Sequence, residues 1–176
     1  MRMSLTGLFV SVFANSYAFV YKWGYIGIFI ASLMGSASLF IFPFPTSTLP
    51  FVFGGVLNPF LIGVLAAFGG AIGEFTGYLL GLGGKELLEK KYSEQLKKAK
   101  RMFERYGSFF WIIIVVITPF PTDIAGIFCG IVKYDLKKFF LAVFIGKLIF
   151  ALTLAYAGHY SIEWIRDFFK ISLSVN

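Results

Sequence analysis

Three ionisable side chains lie within strongly apolar stretches of this sequence: Glu74, Asp123 and Lys147. A charge deep in a bilayer is costly, so such residues normally face a partner or water and mark ion or substrate pathways. Carboxylates there bind protons or cations, and an ammonium binds anionic groups. We therefore expect the three residues to converge on one polar cavity. Two plainer interpretations stay open: a Glu74–Lys147 ion pair that only fixes packing, or a lysine whose ammonium snorkels to the interface.

The tetrapeptide Pro-Phe-Pro-Thr occurs twice, at residues 43–46 and 119–122. At the same offset of 76 positions, Gly54 falls on Gly130. An internal repeat whose apolar segments are broken at matching places indicates the binding site of a transporter-like membrane protein. The candidate site is completed by polar residues in the two motifs or directly after the first one: Thr46, Ser47 and Thr122.

The composition of the chain excludes a water-soluble fold. Of the 176 residues, 58% are hydrophobic and 20% are aromatic, and the mean hydropathy is +0.80. A soluble domain holds roughly 45–50% apolar residues, and one of this size cannot bury the excess. We expect an integral membrane protein with a single domain.

Prolines within apolar segments leave backbone carbonyls without partners, and lipid cannot supply a donor. Such a break is tolerated only where it is buried in protein or lines a wet cavity. Each motif therefore predicts the tip of a re-entrant hairpin, near 43–59 and near 118–135. Two kinked helices and a coincidental match are the alternative. The residues expected to form the hairpins are Pro43, Pro45, Pro50, Gly54, Pro119, Pro121 and Gly130.

The predicted fold is an all-α membrane protein, built as an inverted repeat of a re-entrant hairpin plus a transmembrane helix. The first repeat takes residues 23–82 and the second takes residues 107–160. Spanning helices are predicted at Gly24–Phe42, Phe60–Leu82 and Lys138–His159. Amphipathic interfacial helices are predicted at 1–22, 85–106 and 161–176.

The N-terminal segment has two further interpretations. Its apolar spacing from Leu5 to Phe13 also fits a short spanning helix. Arg2 and the apolar run to Ala14 resemble a signal peptide, but the positive region is thin, so the segment is expected to be retained.

Basic residues are concentrated in one segment, although the whole chain carries a net charge of +7. Eight lysines and arginines fall between Lys85 and Arg105. Cytoplasmic loops are enriched in these residues, so we expect the 85–106 helix inside the cell and the protein in the plasma membrane. The two hairpins then enter from opposite sides. Nucleic-acid binding is not expected, because the basic residues stand between membrane segments.

The sequence lacks the patterns of the common catalytic sites. No His, Cys and carboxylate set has metal-ligand spacing, and neither a nucleophile elbow nor a Walker loop is present. The lone Cys129 excludes an internal disulfide. A lone His159 near a helix end is more often inert than catalytic. We expect no enzyme activity, no cofactor and no metal.

Several segments, taken in order, resemble the DedA family, also called the SNARE-associated or VTT domain family. They are "FPFPTSTLPFVFGG", "GAIGEFTGYLLG", "TPFPTDIAGIFCGIVKYDLKKFF" and "IGKLIFALTLAYAG". The resemblance covers about residues 20–160. It implies inverted re-entrant hairpins and the movement of lipids between leaflets, in some relatives driven by proton or sodium gradients. Many bacterial members have a hairpin arginine pair, and Thr118 and Ile124 stand near those positions here.

The resulting hypothesis is a membrane lipid translocator, a flippase or scramblase for phospholipid or polyprenyl-phosphate head groups. In it Glu74 and Asp123 tune the hydration of a polar groove, and Lys147 meets phosphate. The expected partners are membrane lipids, with protons or sodium ions as coupling ions. Both a monomer and a homo-oligomer are compatible with the sequence. The alternatives are a proton- or ion-coupled carrier of small solutes and a non-transporting membrane scaffold.

Overall fold

A computed structural model of the chain describes residues 5–37, 48–84, 107–118 and 122–174, together with residues 94, 98, 100, 101 and 103. All regular structure in these residues is helical, which confirms the all-α class for this part of the chain. The helices are α1 (Leu5–Ala37), α2 (Thr48–Gly54), α3 (Pro59–Gly73), α4 (75–84), α5 (Ser108–Ile117), α6 (Thr122–Ile131) and α7 (Leu136–Ser174).

Among the described residues, three helical stretches are long and apolar enough to cross a bilayer: Ala18–Ala37, Pro59–Gly84 and Leu136–Trp164. Large apolar side chains point outward along them; Leu79 and Leu80, for example, are 60% and 57% exposed. Apolar surface on this scale requires a lipid or protein environment. The chain is therefore a membrane protein.

Helix α1 contains one break, at Gly24. Its φ of 55° and ψ of −127° belong to a region that glycine reaches without a Cβ penalty. The two arms pack closely, since a Cβ on Gly27 would lie 2.9 Å from Val20 Cα. The chain is thus helical on both sides of Gly24, the residue where the predicted spanning helix begins. That predicted helix ends at Phe42, which lies outside the described residues.

The start of α3 follows from a local cap. The Asn58 side chain accepts hydrogen bonds from Phe60 N at 3.0 Å and Leu61 N at 3.2 Å, and Pro59 takes the first turn, where its missing N–H is harmless. At Glu74 the helical bonding continues, because the Glu74 N–H donates to the Gly70 carbonyl at 3.1 Å. Helices α3 and α4 therefore form one stretch, Pro59–Gly84, that contains the second predicted span, Phe60–Leu82.

Helix α7 is longer than predicted. The Asp135 carboxylate caps its start by accepting from Lys138 N at 2.8 Å. No glycine or proline follows Gly158, so nothing in the sequence stops the helix. Instead of ending near His159 before a separate interfacial helix, α7 runs without interruption to Ser174.

The centre of the fold is the contact between α3 and α7. Helix α1 packs on α3, and both α2 and α5 pack on α7. Buried apolar side chains form two clusters. One includes Val20, Ile28, Leu49, Ile62, Ala151 and Ala155. The other includes Ala71, Tyr78, Ile112, Cys129, Phe139 and Val143. Lys147 stands on α7 between Val143 and Ala151, at the junction of the two clusters.

Close glycine contacts recur at matching positions of the chain. A Cβ on Gly81 would clash with the Ile127 carbonyl, and a Cβ on Gly158 would clash with that of Phe51. Phe51 and Ile127 are 76 positions apart, and Gly81 and Gly158 are 77 apart. The contact of Gly54 with Ala155 corresponds in the same way to the contact of Gly130 with Tyr78. The contact of Gly69 with Phe29 on α1 corresponds to that of Gly146 with Ile113 on α5, where the two helices are offset by 84 positions. Small residues here let backbones approach closely.

Short apolar helices flank the second proline motif. Helices α5 and α6 have ten residues each, too few to cross a bilayer. Pro50 is buried in the seven-residue α2, which follows the first motif. The residues expected at the hairpin tips lie outside the described residues: Pro43, Pro45, Thr46, Ser47, Pro119 and Pro121. Most of the basic 85–106 segment also lies outside them. The re-entrant course and the inverted arrangement stay predictions.

Candidate functional site: a buried ion pair beside a cleft

The two central helices hold an ion pair at their contact. Glu74, at the junction of α3 and α4, is only 2% exposed, and its Oε1 lies 3.0 Å from the Nζ of Lys147 on α7. Gly70, one turn before Glu74, makes room for the lysine, since a Cβ there would lie 2.8 Å from Lys147 Cδ. The glycine-rich stretch of α3 thus permits a long cationic side chain inside the bundle.

The Glu74 carboxylate also contacts α6. The Thr122 hydroxyl donates a hydrogen bond to Glu74 Oε1. One turn further, Gly126 lies beside the second oxygen: a Cβ there would be in ordinary van der Waals contact with Glu74 Oε2, at 3.6 Å. Asp123 is half-buried and close enough to Glu74 and Lys147 to interact with both charges. The structure therefore brings together four of the residues singled out in the sequence.

Helix α1 supplies a residue that the sequence did not indicate. Lys147 Nζ donates to Ser36 Oγ at 3.0 Å, and Ser32, one turn earlier, is buried. A signal in the sequence was the spacing of Ser32 and Ser36, one helical turn apart in a stretch without charges. No buried side-chain nitrogen or oxygen in the described part of the chain lacks a hydrogen-bond partner, as expected for a stable polar cluster.

A cleft of about 70 Å³ opens beside Lys147. Its lining residues come from α1, α2, α3 and α7: Ser32, Ser36, Pro50, Ala66, Gly70, Lys147, Phe150 and Ala151. Glu74 is not among the lining residues, whereas Lys147 and its hydrogen-bond partner Ser36 both line the cleft. A volume of this size accommodates a few water molecules or a small polar group.

Other candidate residues lie away from this cluster. Gly54 and Gly130 serve in close helix contacts, and His159 stands 3.4 Å from Glu163 one turn along α7. Thr46 and Ser47 belong to the undescribed residues. Within the described ranges, no group of His, Cys, Asp and Glu side chains is arranged to hold a metal ion.

Helical structure throughout the described elements, an apolar composition and a buried charge cluster between the central helices define a helical integral membrane protein with a polar intramembrane site. A family model described as the VTT domain matches residues 44–160, which are 117 of the 176 residues. The chain belongs to this family, the DedA or SNARE-associated family that its motifs resemble. It matches no curated protein and no solved structure.

Proposed function

We propose that the protein is a lipid translocator, a flippase or scramblase that moves phospholipid or polyprenyl-phosphate head groups between leaflets. The observation that carries this proposal is the buried Glu74–Lys147 pair, bonded to Ser36 and Thr122 and open to a cleft. A head group crosses along this polar path while its acyl or prenyl tails stay in lipid. The protein acts without covalent catalysis.

Stability alone is a weak reason to keep such a pair. Replacing a buried ion pair by well-packed apolar residues is often neutral or stabilising. Intramembrane charges commonly mark substrate or ion paths. Lys147 is 17% exposed against 2% for Glu74, so the lysine is the member of the pair that a substrate reaches first. This asymmetry supports a role in binding.

The arrangement in the membrane is part of the proposal. The recurring glycine contacts support two related halves, and the short helices α5 and α6 on either side of a proline motif support a hairpin. Three stretches with the length of spanning helices support a multi-pass topology. The positive-inside rule supports a cytoplasmic position for the basic 85–106 segment. We propose the plasma membrane as the membrane that holds the protein.

A second candidate is proton- or ion-coupled transport of a small solute. It is favoured by one observation: Asp123 and Glu74 are close enough to interact, with Lys147 beside them. Carboxylates and an ammonium grouped within membrane segments are typical of ion and proton paths. This function predicts ion flux that depends on pH and on both carboxylates, without movement of lipid.

The test is leaflet exchange in liposomes that contain the purified protein. Fluorescent phospholipid and polyprenyl-phosphate reporters are quenched from outside, with and without a pH gradient. Quenching beyond the outer leaflet, reduced in Glu74→Gln and Lys147→Met, supports the lipid translocator. The matched controls are Glu163→Gln and Lys137→Met, which remove the same charges at accessible positions of α7.

Quenching confined to the outer leaflet for every reporter, with and without the gradient, contradicts lipid translocation. In that case, pH-dependent ion flux lost in Asp123→Asn identifies the coupled carrier. If the liposomes show neither lipid exchange nor ion flux, the remaining hypothesis is the non-transporting membrane scaffold.

A further inference from the structure

The recurring contacts relate the charge cluster to the cleft. Residues of α3 and α4 correspond to residues of α7 that lie 77 positions later, and residues of α2 correspond to residues of α6 that lie 76 later. By these offsets Glu74 corresponds to Ala151, and Gly126 corresponds to Pro50. Glu74 and Gly126 are neighbours in the cluster, and Ala151 and Pro50 both line the cleft.

The cleft is therefore the counterpart of the place that the Glu74 carboxylate occupies. In one half a carboxylate fills the space, and in the other the methyl group of Ala151 leaves it open. Lys147 itself corresponds to Gly70, and its side chain lies against that glycine. Lys147 thus stands between the two halves: its ammonium contacts the counter-ion Glu74, and its side chain lines the cleft together with Ser36.

We propose that this cleft is an oxyanion subsite, in which a phosphate or carboxylate group of the substrate takes the place of the missing carboxylate. It is held by the ammonium of Lys147 and the hydroxyls of Ser32 and Ser36. That the oxyanion belongs to a lipid head group rests on the proposed function.

The hydrogen-bonding capacity of the lining fits an anion. An ammonium has three donors, and Lys147 gives one to Glu74 and one to Ser36, which leaves a third. Ser36 accepts its bond from the lysine, so its own proton is available to a bound oxygen. The remaining walls are apolar, among them Ala66, Phe150 and Ala151, and a low-dielectric wall strengthens each charge-assisted bond.

Nearby carboxylates repel a bound anion, so removing a carboxylate is expected to tighten oxyanion binding in the cleft. Glu74 and Asp123 carry two formal negative charges near Lys147. Removing one of them raises the potential at the cleft. Glu74→Gln is therefore expected to tighten oxyanion binding severalfold, although the same variant is expected to slow leaflet exchange.

The experiment measures binding by calorimetry on the purified full chain in detergent. Two probes are used, inorganic phosphate and the soluble diester dihexyl phosphate. The double variant Ser32→Ala/Ser36→Ala is expected to weaken binding about tenfold or more, because it removes two hydrogen bonds to a charge. Ala151→Leu fills the cleft and is expected to abolish binding.

Matched controls on α7 are Ser161→Ala and Ala157→Leu, both at exposed positions outside the cleft. They are expected to bind as the unmodified protein does. Thermal unfolding checks that each variant is folded; if Glu74→Gln or Ala151→Leu is not, the double serine variant still decides the outcome.

Binding of either probe that is lost in the cleft variants supports the subsite. If only dihexyl phosphate binds, the ligand of the cleft is a lipid head group. If only inorganic phosphate binds, the ligand is a free anion. No binding of either probe, or binding that the folded cleft variants leave unchanged, overturns the inference. Cleft-dependent binding without leaflet exchange in liposomes leaves the subsite standing and removes lipid translocation.

Discussion

At the scale of single residues, the Glu74–Lys147 pair brings two opposite charges together in the interior. Glu74 is nearly inaccessible, and its carboxylate has partners on two helices, Lys147 and Thr122. Removing one member of a buried pair strands the other charge, whereas removing both does not. Stability and transport therefore respond differently to single and double substitutions, which separates a packing role from a functional one.

We expect Lys147→Met to lower the free energy of unfolding by about 3–5 kcal/mol, because it leaves the Glu74 carboxylate buried without its ammonium. The double variant Glu74→Leu/Lys147→Met is expected to recover most of that loss and still to fail in leaflet exchange. Thermal unfolding in detergent and the liposome assay measure the two effects. A double variant that is stable and transports normally would show that the pair only fixes packing.

At the scale of the helix, glycine decides which elements can touch. Gly81 and Gly158 each lie where a Cβ would meet the backbone of a short helix, at Ile127 and Phe51 respectively. Backbone cannot move aside as a side chain does, so these positions tolerate no added atom without a shift of the helix. Gly83 lies in the same helix as Gly81 with open space around it, and this offers a direct comparison.

Gly81→Ala and Gly158→Ala are both expected to destabilise the protein, by about 1–3 kcal/mol each. Gly83→Ala is expected to be neutral or to stabilise by up to about 1 kcal/mol, since alanine has the higher helix propensity. Thermal unfolding of the three variants under one detergent condition provides the comparison. Equal effects at Gly81 and Gly83 would contradict the close approach of α4 and α6.

The turn between α6 and α7 offers a second test at this scale. Lys133 has a φ of 53°, and the Tyr134 N–H donates to the Cys129 carbonyl at 2.9 Å. This is the Schellman end of a helix, in which the left-handed residue is usually glycine. Lys133→Gly is expected to raise the unfolding free energy by about 1 kcal/mol, measured by thermal unfolding. Lys137→Gly, inside the first turn of α7, is expected to lower it.

At the scale of the whole molecule, the recurring contacts and the basic segment together predict the topology. If the halves are inverted, the turn after α2 and the turn after α6 face opposite sides of the membrane. Val56, in the first turn, is 71% exposed, and Lys137 follows the second turn. Cys129 is buried, so the unmodified chain provides a background with little reactive thiol.

We expect Val56→Cys to react with a membrane-impermeant thiol reagent added outside intact cells. Lys137→Cys is expected to react only after the membrane is permeabilised, because the positive-inside rule puts that turn in the cytoplasm. The unmodified protein is the control for reaction at Cys129. Labelling of both variants from the same side would rule out the inverted arrangement.

The sequence by itself determined the class of the protein and the chemical identity of its interior. Apolar composition requires a membrane, and charges inside apolar helices require partners, so Glu74 and Lys147 were identifiable without coordinates. Local signals also fixed helix starts, as the caps at Asn58 and Asp135 show. These inferences use only neighbours along the chain or free energies of transfer, which a sequence contains.

Only the tertiary structure decided which residues meet and what space they leave. Ser36 is 111 positions from Lys147, and no local pattern reports a contact over that distance. The cleft arises because α1, α2, α3 and α7 pack with alanine and glycine at the junction. The break at Gly24 likewise depends on which backbone conformations the packed helices permit. A cavity is the volume that packing leaves unfilled, so it has no sequence pattern of its own.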